Sequence, residues 1–142
     1  MPKKQKSQAP KKIPTPEIFL EMFEIYRFEV KSAPFLVHDF VGKDGNEVYR
    51  QKEKCLTIEG FELYIEAEFG IGQTQQYFEN REGRYSEFVS VIRTIRKIIR
   101  EDQIAGGMAN VYNANLTARL NGLSENIETK GESPKIINVD PL

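Results

Sequence analysis

Between Thr15 and Ser32 the apolar residues Phe19, Met22, Phe23, Tyr26 and Val30 recur every three or four positions, the spacing that lines one face of a helix. Thr15-Pro16-Glu17 marks its start with a capping hydroxyl, a proline suited to the first turn and an acid at the positive end of the dipole. Ala33-Pro34 ends it, because proline steers the preceding residue away from helical angles. The period then drops to two. "FLVHDFV" and "EVYRQKE" flank "GKDGN", and Asp44-Gly45 supplies the positive-φ corner of a β-hairpin over about residues 35–53. A lone hairpin is marginally stable, so this one is expected to lie against helices or against another chain.

"LTIEGFELYIEAEFG" returns to helical spacing, capped at Thr57, with Phe61, Leu63, Tyr64, Ile65 and Phe69 as its apolar content. Gly70-Ile71-Gly72 breaks that helix, and "QTQQYFENR" opens a short third one. A long helix is predicted from Tyr85 to about Gly106, and a last one from roughly Met108 to Asn121. After it, "KIINV" (135–139) is a short β-prone run. The expected fold is mainly α: a helical core over 15–123 with one hairpin insertion. A flexible basic tail, 1–14, precedes it, and a C-terminal tail with a short strand, 124–142, follows.

Charge changes this picture at one end. The 142 residues carry a net charge of −1, yet Lys3, Lys4, Lys6, Lys11 and Lys12 fall in the first twelve with no acid among them, so the rest is distinctly acidic. Catalytic chemistry is sparse. His38 and Cys55 are the only histidine and cysteine, too few soft ligands for a structural zinc site, which usually takes four. A single cysteine forms no internal disulfide, which fits a reducing compartment. There is no phosphate-binding Gly-Lys-Ser/Thr loop, and "GIGQTQQ" is too poor in glycine for a dinucleotide fingerprint. No cofactor and no enzymatic activity are expected. Neither an apolar run of about 20 residues nor a secretory h-region is present.

Two stretches suggest contact with nucleic acid. The segment around Gly70–Gly72 resembles a helix-turn-helix whose second helix opens with Gln73, Thr74, Gln75 and Gln76, side chains of the kind that reach base edges; a plain helical hairpin packed on the core is the other reading. In "YSEFVSVIRTIRKIIRED", Phe88, Ile92, Ile95 and Ile99 form an apolar stripe, while Arg93, Arg96, Lys97 and Arg100 form a second stripe on the opposite side. Either this is a solvated face relieved by acids such as Glu101 and Asp102, or it contacts phosphates.

"GGMANVYNANLTARLNGLSENIE" resembles the closing helix of phage small terminase subunits, which start genome packaging in tailed double-stranded-DNA phages of the headful type. The resemblance lies in Gly106, Gly107, Ala109, Asn113, Asn115, Ala118, Arg119, Gly122 and Leu123. The preceding order, "TPEIFLEMFEIYRFEV", a hairpin, then "LTIEGFELYI", is similar as well. It implies a non-catalytic homo-oligomeric ring of roughly eight to ten subunits, built on a heterologous contact that closes by rotation. Such a ring binds double-stranded viral DNA and recruits and stimulates the large terminase subunit, an ATPase and nuclease, in the cytoplasm of the bacterial host. DNA contacts are then expected at Lys3, Lys4, Lys6, Lys11, Lys12, Arg93, Arg96, Lys97 and Arg100. Gly106, Gly107, Asn110, Asn113 and Asn115 are expected at the interface between subunits, "KIINV" as a strand pairing around the ring, and the segment after Leu123 as the docking element for the large subunit. The alternative is a phage or bacterial transcription regulator of the helix-turn-helix type.

Overall fold

The computed structural model describes residues 10–123; the strand expected at 135–139 lies outside them. Five helices and one hairpin follow in order: α1 (Pro16–Ser32), β1 (Phe35–Val41), β2 (Asn46–Lys52), α2 (Ile58–Phe69), α3 (Gln75–Phe78), α4 (Val89–Met108) and α5 (Ala114–Leu120). The first two helix starts are built as their sequences dictate. Thr15 Oγ1 accepts from the Ile18 amide at 3.2 Å, and Thr57 Oγ1 from the Gly60 amide at 2.9 Å. Gly70, at φ +66°, closes α2 in the left-handed conformation that glycine adopts without steric cost.

The apolar faces of α1, α2 and α4 meet in one core. Phe19, Phe23, Phe61, Ile65, Phe88 and Ile95 are fully buried there, and the Phe19 ring lies 5.5–6.1 Å from the rings of Phe61, Phe78, Tyr77 and Phe88. Such edge-on and offset contacts add to the area that each ring buries. β1 and β2 pair antiparallel from Phe35↔Lys52 to Val41↔Asn46. The hairpin adds nothing to this core: between Val30 and Leu56 no residue joins it. Both its faces carry exposed apolar side chains, with Phe35, Leu36, Phe40 and Tyr49 at 60–66% exposure.

Four boundaries differ from the sequence reading. The basic tail does not extend to residue 14: Ile13 is fully buried, and its amide donates to the Tyr77 hydroxyl at 2.9 Å. The third helix is a single turn, followed by two 3₁₀ turns, Arg81–Gly83 and Ser86–Phe88. These turns delay the long helix to Val89, and it continues past Gly106 to Met108. The last helix begins only at Ala114. The Gly106 carbonyl accepts from both Val111 and Tyr112 amides, and Asn110 takes the left-handed conformation at φ +58°, so residues 109–113 form a turn. Asparagine tolerates that conformation better than most side chains, which helical periodicity does not register.

One polar junction ties these elements together. Lys31, in the last turn of α1, donates to Asp102 on α4 (2.6 Å), to the Tyr112 hydroxyl (2.5 Å) and to the Lys54 carbonyl (2.9 Å). The other oxygen of Asp102 accepts from the Leu56 amide at 2.8 Å. Burial alone would pull the Lys31 ammonium down, but the hydrogen bonds to Asp102 and Tyr112 outweigh it and its pKa is raised. Burial, with a hydrogen bond to Asp102, pushes the Tyr112 hydroxyl up to about 12.

Both shifts carry the same sign. The folded chain retains protons that the unfolded chain releases near the ordinary values of 10.0 and 10.5, so this contribution is complete at neutral pH and is lost as pH rises through the raised values. Replacing Lys31 by Met is expected to cost about 2–3 kcal/mol at pH 7, the range for hydrogen bonds to charged groups. It should also flatten the loss of stability above pH 10.5. Chemical denaturation at neutral and alkaline pH checks both; equal midpoints for the two proteins at pH 7 would show that the junction contributes nothing.

Candidate nucleic-acid interface

α4 is the element that carries charge into position. Its buried stripe runs through Ile92, Ile95, Ile99 and Gln103, while Arg93, Arg96, Lys97 and Arg100 are all exposed. At about 100° per residue the centre of the cationic stripe lies roughly 110° around the helix from the centre of the buried one. The cations therefore flank the core and do not stand opposite it. Their stems border a groove of about 340 Å³ whose floor is apolar: Tyr77 and Phe78 of α3, with Val89 and Ile92 of α4. Lysine and arginine stems cover apolar surface in this way while their heads stay in water.

Nothing neutralises the rim. Among the described residues none of the four forms an ion pair. Asp102, offered by the sequence as relief, is engaged by Lys31, and Glu101 pairs with no cation. Arg96 lies over the Phe78 ring at 5.3 Å and donates to the Phe78 carbonyl at 3.4 Å, and Arg100 donates to the Asn121 carbonyl at 3.0 Å. These contacts orient two guanidinium groups while leaving their charge uncompensated. Four like charges along two turns favour an anion with several negative groups at comparable spacing, a property of a phosphate backbone.

The other residues expected to touch DNA are not gathered here. Lys3, Lys4 and Lys6 lie outside the described residues. Lys11 pairs with Glu87 at 2.8 Å and sits over the Tyr85 and Phe88 rings, so it is held against the body; Lys12 is exposed. The four residues proposed to read bases do not share an exposed face. Thr74 is buried, Gln76 donates to Gln73 at 2.8 Å, and Gln75 opens a helix of only four residues. A recognition helix needs exposed side chains along more than one turn to reach successive bases.

The asparagine-rich stretch is largely accounted for within the chain. Asn113 caps α5, its Oδ1 accepting from the Leu116 amide at 3.0 Å. Asn121 donates to Gln103 Oε1 at 2.8 Å, and Gln103 in turn donates to the Leu56 carbonyl at 2.8 Å, so α5, α4 and the start of α2 are strung on amide hydrogen bonds. Gly107 faces Thr117 and Gly106 faces the Tyr112 ring, each so closely that a Cβ would collide. Asn115 alone of the five residues expected at an interface is an exposed helix residue with no side-chain hydrogen bond among the described residues. It lies beside Leu116 and Leu120, which are 58% and 61% exposed.

The remaining candidates for chemistry are quiet. Burial and the nearby Asp102 carboxylate push the Cys55 thiol up to about 11, so it is protonated at neutral pH and a poor nucleophile. His38 sits on the exposed hairpin, 2.5 Å from Glu47 and stacked on Tyr49. Among the described residues no three His, Cys, Asp or Glu side chains converge as a metal site, and no helix is long and apolar enough to cross a membrane. The groove floor is what the sequence reading missed. The angular offset between the two stripes of α4 was legible in their spacing; the approach of Phe78, from a different element, was not.

The two asparagines should separate cleanly on substitution. Asn113→Ala is expected to cost about 1 kcal/mol through loss of the cap, and Asn115→Ala to stay within about 0.5 kcal/mol, as exposed substitutions do. Thermal melts of both variants check this, and equal destabilisation would refute the distinction. Compared with known proteins, the chain matches no family model and no curated protein, so the reading of the groove rests on its own residues.

Proposed function

We propose that this protein is the small subunit of a phage DNA-packaging terminase, a non-catalytic oligomer that binds double-stranded viral DNA and recruits and stimulates a large ATPase–nuclease subunit. The observation that carries the DNA-binding part is the cationic rim of α4, whose four charges have no acidic partner among the described residues. Contacts of this kind bind backbone without reading sequence, which suits a subunit that holds DNA for a partner enzyme. The resemblance of residues 106–123 and of the order of elements before them supports the family.

Assembly is supported by apolar surface left uncovered in the single chain. Phe28 on α1, both faces of the hairpin, and Leu116, Leu120 and Leu123 at the end of the fold are between 45% and 73% exposed. The four aromatic residues Phe28, Phe35, Phe40 and Tyr49 alone expose roughly 500 Å², given about 150–250 Å² per aromatic side chain. That is as much as the largest patch on a typical monomer. A heterologous contact covers different patches on its two sides, and when its rotation closes it gives a ring.

Light scattering at micromolar concentration is expected to return a particle of more than four subunits; a stable monomer or dimer would sink the ring. DNA binding should weaken steeply with salt. The quadruple variant R93Q/R96Q/K97Q/R100Q should bind less tightly, with a log affinity–log salt slope shallower by about 2–4, at roughly 0.9 per lost phosphate contact. Fluorescence anisotropy with a duplex of arbitrary sequence measures both, and an unchanged slope would place the DNA contact away from α4.

A further inference from the structure

The groove combines an apolar floor with a cationic rim, and the chain leaves the described fold beside one end of it. α5 runs back along α4: Gly107 faces Ala114 and Thr117, and Asn121 sits against Gln103 and Arg100. Leu120 and Asn121 share a hollow with Arg96 and Arg100. The next residues, Ser124-Glu125-Asn126-Ile127-Glu128, place two carboxylates around one aliphatic side chain. From Arg100 back to Val89 the helix covers about 16 Å at 1.5 Å per residue. Five residues of extended chain cover about the same distance at roughly 3.3 Å each.

We infer that residues 125–128 of this chain occupy the groove. Ile127 lies on the floor formed by Phe78, Val89 and Ile92, and Glu125 and Glu128 face the cations of the rim. Length, charge and polarity all match. An acidic–apolar segment satisfies floor and rim together, whereas a purely anionic ligand would leave the floor wet. The tether makes the contact intramolecular, with an effective concentration in the millimolar range for a short linker, so individually weak ion pairs suffice. The chain thereby masks its own cationic rim and competes with any polyanion that approaches it. That competition with DNA rests on the function proposed above; the docking itself does not.

The test uses the full chain with the photo-crosslinker benzoylphenylalanine in place of Ile127. Irradiation is expected to join position 127 to peptides containing Phe78 or Val89–Lys97 of the same chain, as mixing isotope-labelled and unlabelled protein reveals. The substitutions E125Q/E128Q should reduce this yield by about fivefold, because they remove the charge from two charge-assisted contacts. Crosslinks confined to other surfaces, crosslinks formed only between chains, or a yield indifferent to E125Q/E128Q would each overturn the inference. E125Q/E128Q should also tighten binding of a DNA duplex several-fold at low salt. If the crosslink and its charge dependence hold while DNA affinity does not change, tail docking stands and the assignment of the rim to DNA fails. DNA binding that depends on the rim, without the crosslink, has the opposite meaning.

Discussion

A half-buried ammonium group has to be surrounded by acceptors, and Lys31 finds them on three separate stretches of chain. Asp102 comes from the middle of α4, the Lys54 carbonyl from the segment that leaves the hairpin, and the Tyr112 hydroxyl from the turn before α5. Removing charge from water is costly unless it is paired and hydrogen-bonded, so the three stretches are drawn to one point at the end of α1. Asp102 is shared with the Leu56 amide, which sets where α2 begins. The aromatic core supplies the driving force for collapse, but it is non-directional; this junction decides which turn of α4 faces which end of α1.

The same junction shapes the surface on the far side of α4. Because Asp102 is committed to Lys31, the cations one and two turns upstream are left without the acid nearest to them in sequence. Their flanking position, set by the spacing of isoleucines and arginines along one helix, lets Tyr77 and Phe78 approach beneath them. A charged rim over an apolar floor is thus the by-product of two packing decisions made on opposite sides of the same helix.

Legibility followed the range of the interactions concerned. α1, the hairpin and α2 were readable because their signals are local: Thr15 and Thr57 cap within three residues, and Gly70 breaks the helix that it follows. The hairpin's lack of intrachain support was foreseen, since nothing in its alternation demanded a covering helix. Failures came where a distant partner decides the backbone. Ile13 belongs to the core because Tyr77 reaches it from 64 residues away, and no pattern within "KKIPTP" announces that. The closing helix was drawn too long because residues 108–113 form helices readily in isolation, whereas Tyr112 is pulled out towards Lys31 and Asn113 becomes a cap. The asparagines once expected to bond between subunits turned out mostly to end helices or to join them.

The hairpin carries a consequence for how this chain tolerates change. Its strands pair only with one another, and none of its residues belongs to the packed interior. Its opening is therefore uncoupled from unfolding of the helices, and its amide protons exchange through a low-energy local event while those of the core await global opening. For the same reason, lengthening, shortening or re-registering these two strands leaves the interior undisturbed. The hairpin is the part of the molecule that selection can reshape without first repairing the fold.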